Sequence, residues 1–284
     1  MKTALLRACR RLFMACGLSL LALPACAPVA AAATAAAAAA GATGAAPWAA
    51  LQQSHFAGKK LEAAPFILIS APVRAASGDQ VPFAFSIDHP MTAQRHIKSV
   101  TVLVDENPVP LTAVFHFTPD SGKAEAATRI RFESDSPVHV VAESSDGRWY
   151  VNTVSVKASG GCSGPVAGDD PAALAAAGKM RMALAAPFQA GAVNKARLLI
   201  RHPMYTGLQR DLSTNGFRPA FFINKIDVSY NGKPVLQADT SIGLSENPTI
   251  EFPFIAERPG ALQVQLQDNT GASFRQSLAV GGDT

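Results

Sequence analysis

One cysteine flanked by glycines is the residue of this sequence with the clearest chemistry. It is the centre of the run Gly160-Gly161-Cys162-Ser163-Gly164, which begins four positions after Val156. Glycine gives the backbone many conformations and adds no side-chain bulk. An extended chain covers roughly 3.3 Å per residue, so this flexible arm predicts a thiol that reaches about 20 Å from the preceding strand. The pattern favours a thiol that carries a covalent adduct into the active sites of other proteins.

The immediate neighbours of Cys162 offer nothing that would activate it. No histidine, lysine or arginine lies within four residues on either side. Without a nearby cation, a cysteine has only a small thiolate fraction at neutral pH, so a partner must supply the activation. Two alternatives stay open: an incidental exposed cysteine, and a cysteine that links two copies of the chain through a disulfide.

The N-terminal residues predict an export signal over residues 1–33. Basic residues from Lys2 to Arg11 precede an apolar stretch, and small residues with several A-x-A patterns follow. The signal predicts localisation in the periplasm. An alternative is a lipoprotein, because Leu23-Pro24-Ala25-Cys26 resembles a lipobox in which Cys26 would be lipidated. An alanine-rich, low-complexity segment over residues 34–58 serves either interpretation.

Removal of the predicted leader lowers the net positive charge and the number of cysteines of the chain. Four of the 25 basic residues lie in the leader, so the mature chain has 21 basic and 21 acidic residues and no basic cluster typical of nucleic-acid binding. Cys9, Cys16 and Cys26 also lie there, which leaves Cys162 without a partner for an internal disulfide.

Two similar patterns follow each other in the rest of the chain. The run Ile87-Asp88-His89-Pro90-Met91 resembles the run Ile200-Arg201-His202-Pro203-Met204. His202 follows His89 by 113 positions and Pro234 follows Pro108 by 126, so the second copy contains a 13-residue insertion. We place that insertion within residues 205–222.

Strict alternation of apolar and polar residues indicates strands in both copies. Ile130 and Phe132 share one face of a strand, and Ile250, Phe252 and Phe254 share one face of another. Short strands separated by turn residues are typical of antiparallel sandwiches of about 100 residues. The sequence therefore predicts an all-β chain with two immunoglobulin-like antiparallel β-sandwich domains joined by a glycine-rich linker. We assign residues 59–157 and 179–284 to the sandwiches and residues 158–178 to the linker that carries Cys162.

The arm and the second sandwich together resemble a known family. A sandwich, a Gly160-Gly161-Cys162 arm and the run from Ile200 to Leu208 resemble the two subunits of the SoxYZ sulfur-oxidation carrier, fused in one chain. Tyr230-Asn231-Gly232-Lys233-Pro234-Val235 and Ser245-Glu246-Asn247-Pro248 are also similar to the Z subunit. Such fused chains look like the SoxYZ-like carriers associated with quinoprotein dehydrogenases, which act on alcohols.

The resemblance implies a non-enzymatic carrier without a cofactor. It implies that Cys162 bears sulfur intermediates and presents them to a c-type cytochrome, a hydrolase and a molybdenum enzyme. The family's arm is Gly-Gly-Cys-Gly-Gly at a free chain end, whereas Ser163 follows the cysteine here and a second domain follows the arm. An alternative from a different class is a binding or chaperone module that docks a quinoprotein dehydrogenase or its c-type cytochrome, with Cys162 dispensable.

Other candidate sites have simpler interpretations. We interpret the repeated His-Pro-Met at His89 and His202 as strand ends with methionine in the core, and predict no metal site. His116 and His139 lie in alternating strand patterns. The sequence has no Ser-His-Asp order, phosphate loop or paired-carboxylate motif.

Overall fold

The computed structural model describes residues 47–165 and 171–281. The predicted export signal and Cys26 lie outside the described residues. The elements follow one another as α1(Pro47–His55), β1(Leu61–Ala63), β2(Ile67–Ser70), β3(Val81–Ile87), β4(Ile97–Val104), β5(Leu111–Phe117), a 3-10 turn (Pro119–Ser121), β6(Ala124–Ile130), β7(Ser136–Ser144), β8(Trp149–Val156), α2(Pro171–Ala176), β9(Met180–Leu184), β10(Val193–Ile200), β11(Ile223–Tyr230), β12(Lys233–Thr240), β13(Thr249–Ile255), β14(Gly260–Asp268) and β15(Ser273–Val280). The prediction of an all-β, immunoglobulin-like fold is confirmed.

Both sheets run through both halves of the chain. One sheet has nine strands in the order β1-β8-β7-β4-β5-β12-β11-β14-β15, and the other has six in the order β2-β3-β6-β13-β10-β9. The order of β2 to β8 in the first half is mirrored by that of β9 to β15 in the second. Apart from the short additional strand β1 at the edge of the first half, each half therefore contributes seven strands, and the two halves are related by a pseudo-two-fold axis between β5 and β12.

Hydrogen-bonded strand pairs, and not the linker alone, join the halves. Strand β5 pairs with β12 over five positions, from Phe117 opposite Leu236 to Ala113 opposite Thr240. In the other sheet, Ala127 on β6 pairs with Glu251 on β13. The two predicted domains thus form one continuous sandwich, because the edge strands of each half satisfy one another's backbone groups.

The alternating residues lie where the sequence predicts them. Ile130, Phe132, Ile250, Phe252 and Phe254 are all buried between the two sheets. Methionine 204 of the second His-Pro-Met run is also in this core. The core is formed by side chains of both halves, which places the linker between two parts of one folded body.

The fold begins earlier in the chain than residue 59. Helix α1 lies within the segment predicted to be alanine-rich and of low complexity, yet Trp48 and Leu51 pack beside Phe56 against Leu103 and Val141 of the nine-stranded sheet. These large apolar side chains distinguish residues 47–58 from the alanine run before them. No helix among the described residues is both long and apolar enough to cross a membrane.

Candidate functional site

The structure places Cys162 inside the protein and not on a projecting arm. Its side chain is 1% exposed. The turn at residues 161–163 folds back against the segment that follows β6, and Ser163 is on the surface. This differs from the extended, flexible arm that the sequence predicts, because the glycines here allow close packing and not free movement.

Gly161 packs closely against the backbone of two other segments of the first half. A Cβ at this position would lie 2.1 Å from the carbonyl oxygen of Gly78 and 2.6 Å from that of Phe132. The Gly161 N–H donates to the Phe132 carbonyl at 2.9 Å, and the Phe132 N–H donates to the Gly78 carbonyl at 2.7 Å. Three backbone segments therefore meet at a distance that only glycine permits.

Gly160 and Gly164 allow the chain to turn on either side of Cys162. Gly160 has φ of +73° and open space around it. Glycine is favoured here because the backbone is left-handed, and not because a side chain would clash. A Cβ on Gly164 would lie 2.8 Å from the Gly160 carbonyl oxygen. Together these glycines turn the chain back on itself around Cys162.

The carboxylate of Glu133 holds the arm at its tip. It accepts hydrogen bonds from the N–H of Cys162 at 2.9 Å and the N–H of Ser163 at 3.0 Å, and also from the Ser163 hydroxyl. Ser163 thus contributes a side-chain donor that a glycine in its place would lack. Hydrogen bonds to an ionised carboxylate are stronger than neutral ones, so Glu133 is a strong anchor for the turn.

A buried arginine connects the arm to the second half. Arg131 is 3% exposed, and its guanidinium donates to the carbonyls of Gly161 at 2.8 Å, Met204 at 3.2 Å and Leu244 at 3.1 Å. All three acceptors are backbone oxygens. A buried cation is costly unless its donors are satisfied, and here the arm supplies one of the acceptors.

The second half covers the thiol segment with its insertion. Residues 205–222 form an irregular hairpin in which Tyr205 bridges Phe221 and Arg210 bridges Phe217. At its base, the buried Thr206 hydroxyl donates to the Cys162 carbonyl at 2.7 Å. The predicted insertion therefore contacts Cys162 through Thr206 at its base.

The surroundings hold the thiol in its protonated form. Burial raises the pKa of Cys162, the negative charge of Glu133 adds to this rise, and the positive charge of Arg131 opposes both, so that the pKa is about 12. A thiol with such a pKa has a negligible thiolate fraction at neutral pH. In this conformation Cys162 is an inert, sheltered thiol.

The histidines of the repeated motif do not join this site as ligands. His202 is 1% exposed, and its Nδ1 accepts a hydrogen bond from the Met204 N–H at 3.1 Å. Burial lowers the pKa of His202 to about 4, against a smaller opposing effect of Asp268. Among the described residues, no three His, Cys, Asp or Glu side chains are grouped closely enough to hold a metal ion.

Sequence reasoning located Cys162 but missed the residues that hold it. The alternating pattern assigned Arg131 and Glu133 to the polar face of a strand. Gly78 and Thr206 lie 84 and 44 positions away from Cys162 in the sequence. The predicted strand includes Arg131 and Glu133, whereas β6 ends at Ile130 and both residues lie just beyond it. The remaining contacts depend on how the two halves pack.

Two family models match successive parts of the chain. The model for the sulfur oxidation protein SoxY matches residues 52–162, and the model for the sulphur oxidation protein SoxZ matches residues 180–279. The first match ends at Cys162 itself, and the second begins at the first residue of β9. Among curated proteins, none matches the chain significantly.

Solved structures share parts of the architecture. The sulfur carrier protein SoxY from Chlorobium limicola f thiosulfatophilum is 23% identical, with 38% of this chain and 88% of that chain covered and a TM-score of 0.33. A superoxide reductase (neelaredoxin) from Ignicoccus hospitalis is 12% identical, with 32% and 79% covered and a TM-score of 0.30. These likenesses are partial, and the family follows from the two family models.

Proposed function

Because the chain is a fused SoxYZ-like protein, with a SoxY domain and a SoxZ domain in one polypeptide, we propose that it carries sulfur-oxidation intermediates covalently on Cys162. The observation that carries the proposal is that the SoxY match extends to Cys162, which the SoxZ half then covers through Thr206. A carrier of this kind is not an enzyme: it holds the intermediate while partner enzymes act on it.

The loading step is an oxidative conjugation. The Cys162 sulfur forms an S–S bond with the sulfur of an inorganic sulfur anion, and the thiol proton is released. Two electrons leave the pair of sulfur atoms, and a partner c-type cytochrome would be the oxidant that accepts them. The adduct is anionic, so a hydrolase or another oxidoreductase can act on its outer sulfur while the Cys162 sulfur stays attached to the carrier.

Loading requires the closed conformation to open. The thiol is buried and its pKa is raised, so neither a sulfur anion nor a partner's active site reaches a reactive thiolate in this state. Opening must break the bonds of the arm to Glu133, Arg131 and Thr206. We propose that docking of the partner supplies this energy and that the closed state protects the thiol between encounters.

The proposed partners are exported redox proteins. The leader predicts periplasmic localisation, with lipidation at Cys26 as the alternative, and the family resemblance suggests a c-type cytochrome, a hydrolase or a quinoprotein dehydrogenase as loading and unloading partners. The near-neutral mature chain offers no basis for binding nucleic acid.

The mass of the protein from its native cells tests the proposal. We expect the intact mass to exceed that of the free thiol by a sulfur-containing adduct, and the excess to disappear after reduction or in Cys162→Ser. Free thiol under every growth condition, together with normal growth of the Cys162→Ser strain, would overturn the carrier function.

A second candidate is a binding or chaperone module in which Cys162 is dispensable. The burial of the thiol in the closed state favours it. This module should bind its partner, a quinoprotein dehydrogenase or a c-type cytochrome, equally well with Cys162→Ala. Unchanged binding and unchanged growth of that variant would select the module over the carrier.

A further inference from the structure

A basic groove of about 790 Å³ lies beside strands β9 and β10 of the six-stranded sheet and extends to Arg129 of the first half. Among the residues that the structure describes, five cationic side chains and no acidic one line it: Arg129, Lys179, Arg181, Arg201 and Arg275. We call this surface the basic groove. A cleft lined by charges of one sign focuses the electrostatic field and attracts a ligand of the opposite sign.

The strand arrangement brings these charges together from both sheets. Arg181 on β9 and Thr249 on β13 flank Leu199 on β10 in register. Lys179 and Arg201 are joined by a backbone hydrogen bond of 2.8 Å just beyond the ends of these strands. Arg275 comes from β15 of the nine-stranded sheet.

Within residues 47–165 and 171–281, the cations of the basic groove have no carboxylate partners. Within the described part of the chain, none of the five forms an ion pair, whereas Arg197 and Lys195, further along β10, pair with Glu251 and Glu125. Unpaired like charges repel one another and weaken the free protein. That cost is offset when an anionic partner occupies the groove.

Two chain segments connect the basic groove to the thiol. Arg129 lies two residues before Arg131, whose guanidinium binds the Gly161 carbonyl. Arg201 begins the segment that continues to Thr206, whose hydroxyl binds the Cys162 carbonyl. A partner seated in the groove therefore contacts both segments that hold the arm in place.

We propose that the basic groove docks an acidic surface segment of the enzyme that loads or unloads Cys162, which rests on the carrier function proposed above. All five cations are exposed and come from four different strands or strand ends, which suits an extended acidic polypeptide. A site for a single small oxyanion would need buried, converging donors, and none of these five side chains is buried.

Binding of fluorescein-labelled poly-L-glutamate to the full chain tests the charge complementarity. The groove variant is Arg181→Glu with Arg201→Glu, and the matched control is Lys60→Glu with Arg95→Glu, which gives the same net charge outside the groove. At low ionic strength we expect the groove variant to weaken binding about tenfold and the control to leave it within about twofold. Equal losses in the two variants would overturn the proposal, since net charge alone would then explain binding.

Two competitors separate the other sources of negative charge. If sulfate displaces poly-L-glutamate at concentrations where chloride of equal ionic strength does not, the groove is a small-oxyanion site and the proposal fails. If phosphatidylglycerol vesicles bind through the groove residues and poly-L-glutamate does not, the groove is a lipid contact and the proposal fails. Equal displacement by sulfate and chloride supports it.

The link to the carrier function has its own measurement. In native cells, we expect a smaller fraction of Cys162 to carry the adduct in the groove variant than in the control variant. Equal fractions in the two would overturn docking at this groove. An absence of adduct in the wild-type chain would instead overturn the carrier function, and poly-L-glutamate binding by Cys162→Ser would still report on the groove.

Discussion

Gly161 passes so close to Gly78 that a methyl group at residue 161 would overlap the Gly78 carbonyl oxygen at 2.1 Å. The contact ties the thiol arm to the chain just before β3, in the first half. The same arm is held by Thr206 of the second half. Opening of the arm therefore breaks contacts with both halves at once.

The first prediction concerns Gly161→Ala. The added methyl group cannot fit beside Gly78 and Phe132, so we expect the arm to leave its packed position. Overpacking of this kind costs about 1–3 kcal/mol, which corresponds to at least a fivefold increase in the open population and in the rate of maleimide labelling at Cys162. Gly216→Ala is the control, because a Cβ there meets only the Thr214 hydroxyl at 3.5 Å. Labelling rates equal to wild type would show that Gly161 does not hold the arm.

The second prediction concerns the hydroxyl of Thr206. Thr206→Val removes the donor to the Cys162 carbonyl and leaves that buried oxygen without it. A hydrogen bond of this type contributes about 1 kcal/mol, so we expect Cys162 to react with maleimide about fivefold faster. Thr206→Ser keeps the hydroxyl and should restore the slow rate. If the valine and serine variants react alike, the cover depends on packing and not on this bond.

The third prediction follows from the raised pKa of Cys162. Burial raises it to about 12, against about 8.5–9 in the unfolded chain, so the folded state binds the thiol proton more tightly. The stabilising effect is complete below pH 8.5 and is lost as pH rises toward 12. We expect the free energy of unfolding to fall by about 1 kcal/mol over the first pH unit above 9. Cys162→Ser should lack this pH dependence. Urea titrations at several pH values measure the free energy of unfolding of both proteins, and an equal fall with pH in the two would refute the prediction.

The fourth prediction concerns the shared sheets. Trp48 and Trp149 both lie in the first half, so tryptophan fluorescence reports unfolding of that half. Leu236, on β12 of the second half, is buried opposite Phe117 of β5. Leu236→Ala should lower stability by about 2–5 kcal/mol and shift the fluorescence transition in urea by the same amount as the circular dichroism transition. Gln276→Ala, on the surface of β15, serves as control. A fluorescence transition that does not move would mean that the halves unfold independently.

The sequence predicted the parts of the fold that depend on local patterns. Period-two alternation located the strand regions around Ile130 and Ile250, and the offset between the repeats located the insertion at residues 205–222. The pairing of β5 with β12 was not predictable, because each edge strand has the same pattern whether it faces solvent or another edge. The glycines of the arm were misleading for a related reason: glycine permits both free movement and close backbone packing, and only the position of Gly78 decides between them.

The residues of the candidate site also divide into those that local sequence indicates and those that only tertiary packing brings together. Cys162 was identifiable from its neighbours alone, whereas its anchors Glu133, Arg131 and Thr206 lie 29 to 44 positions away. Charge near a buried thiol depends on tertiary contacts, so the absence of a basic residue within four positions did not indicate the proximity of Arg131. The basic groove was missed because its five cations are dispersed through a nearly neutral chain.

The fusion of the two halves in one polypeptide affects how the second half shelters Cys162. In a carrier made of two separate subunits, dilution would dissociate the subunit that shelters the cysteine, and protection of the cargo would depend on protein concentration. Here Thr206 and Cys162 belong to one polypeptide. After the proposed opening by a partner, the contact between Thr206 and Cys162 would re-form in an intramolecular step, at a rate independent of the concentration of the protein. If the chain carries cargo as proposed, each copy would also supply cargo site and cover in a fixed one-to-one ratio, without a need to match the synthesis of two gene products.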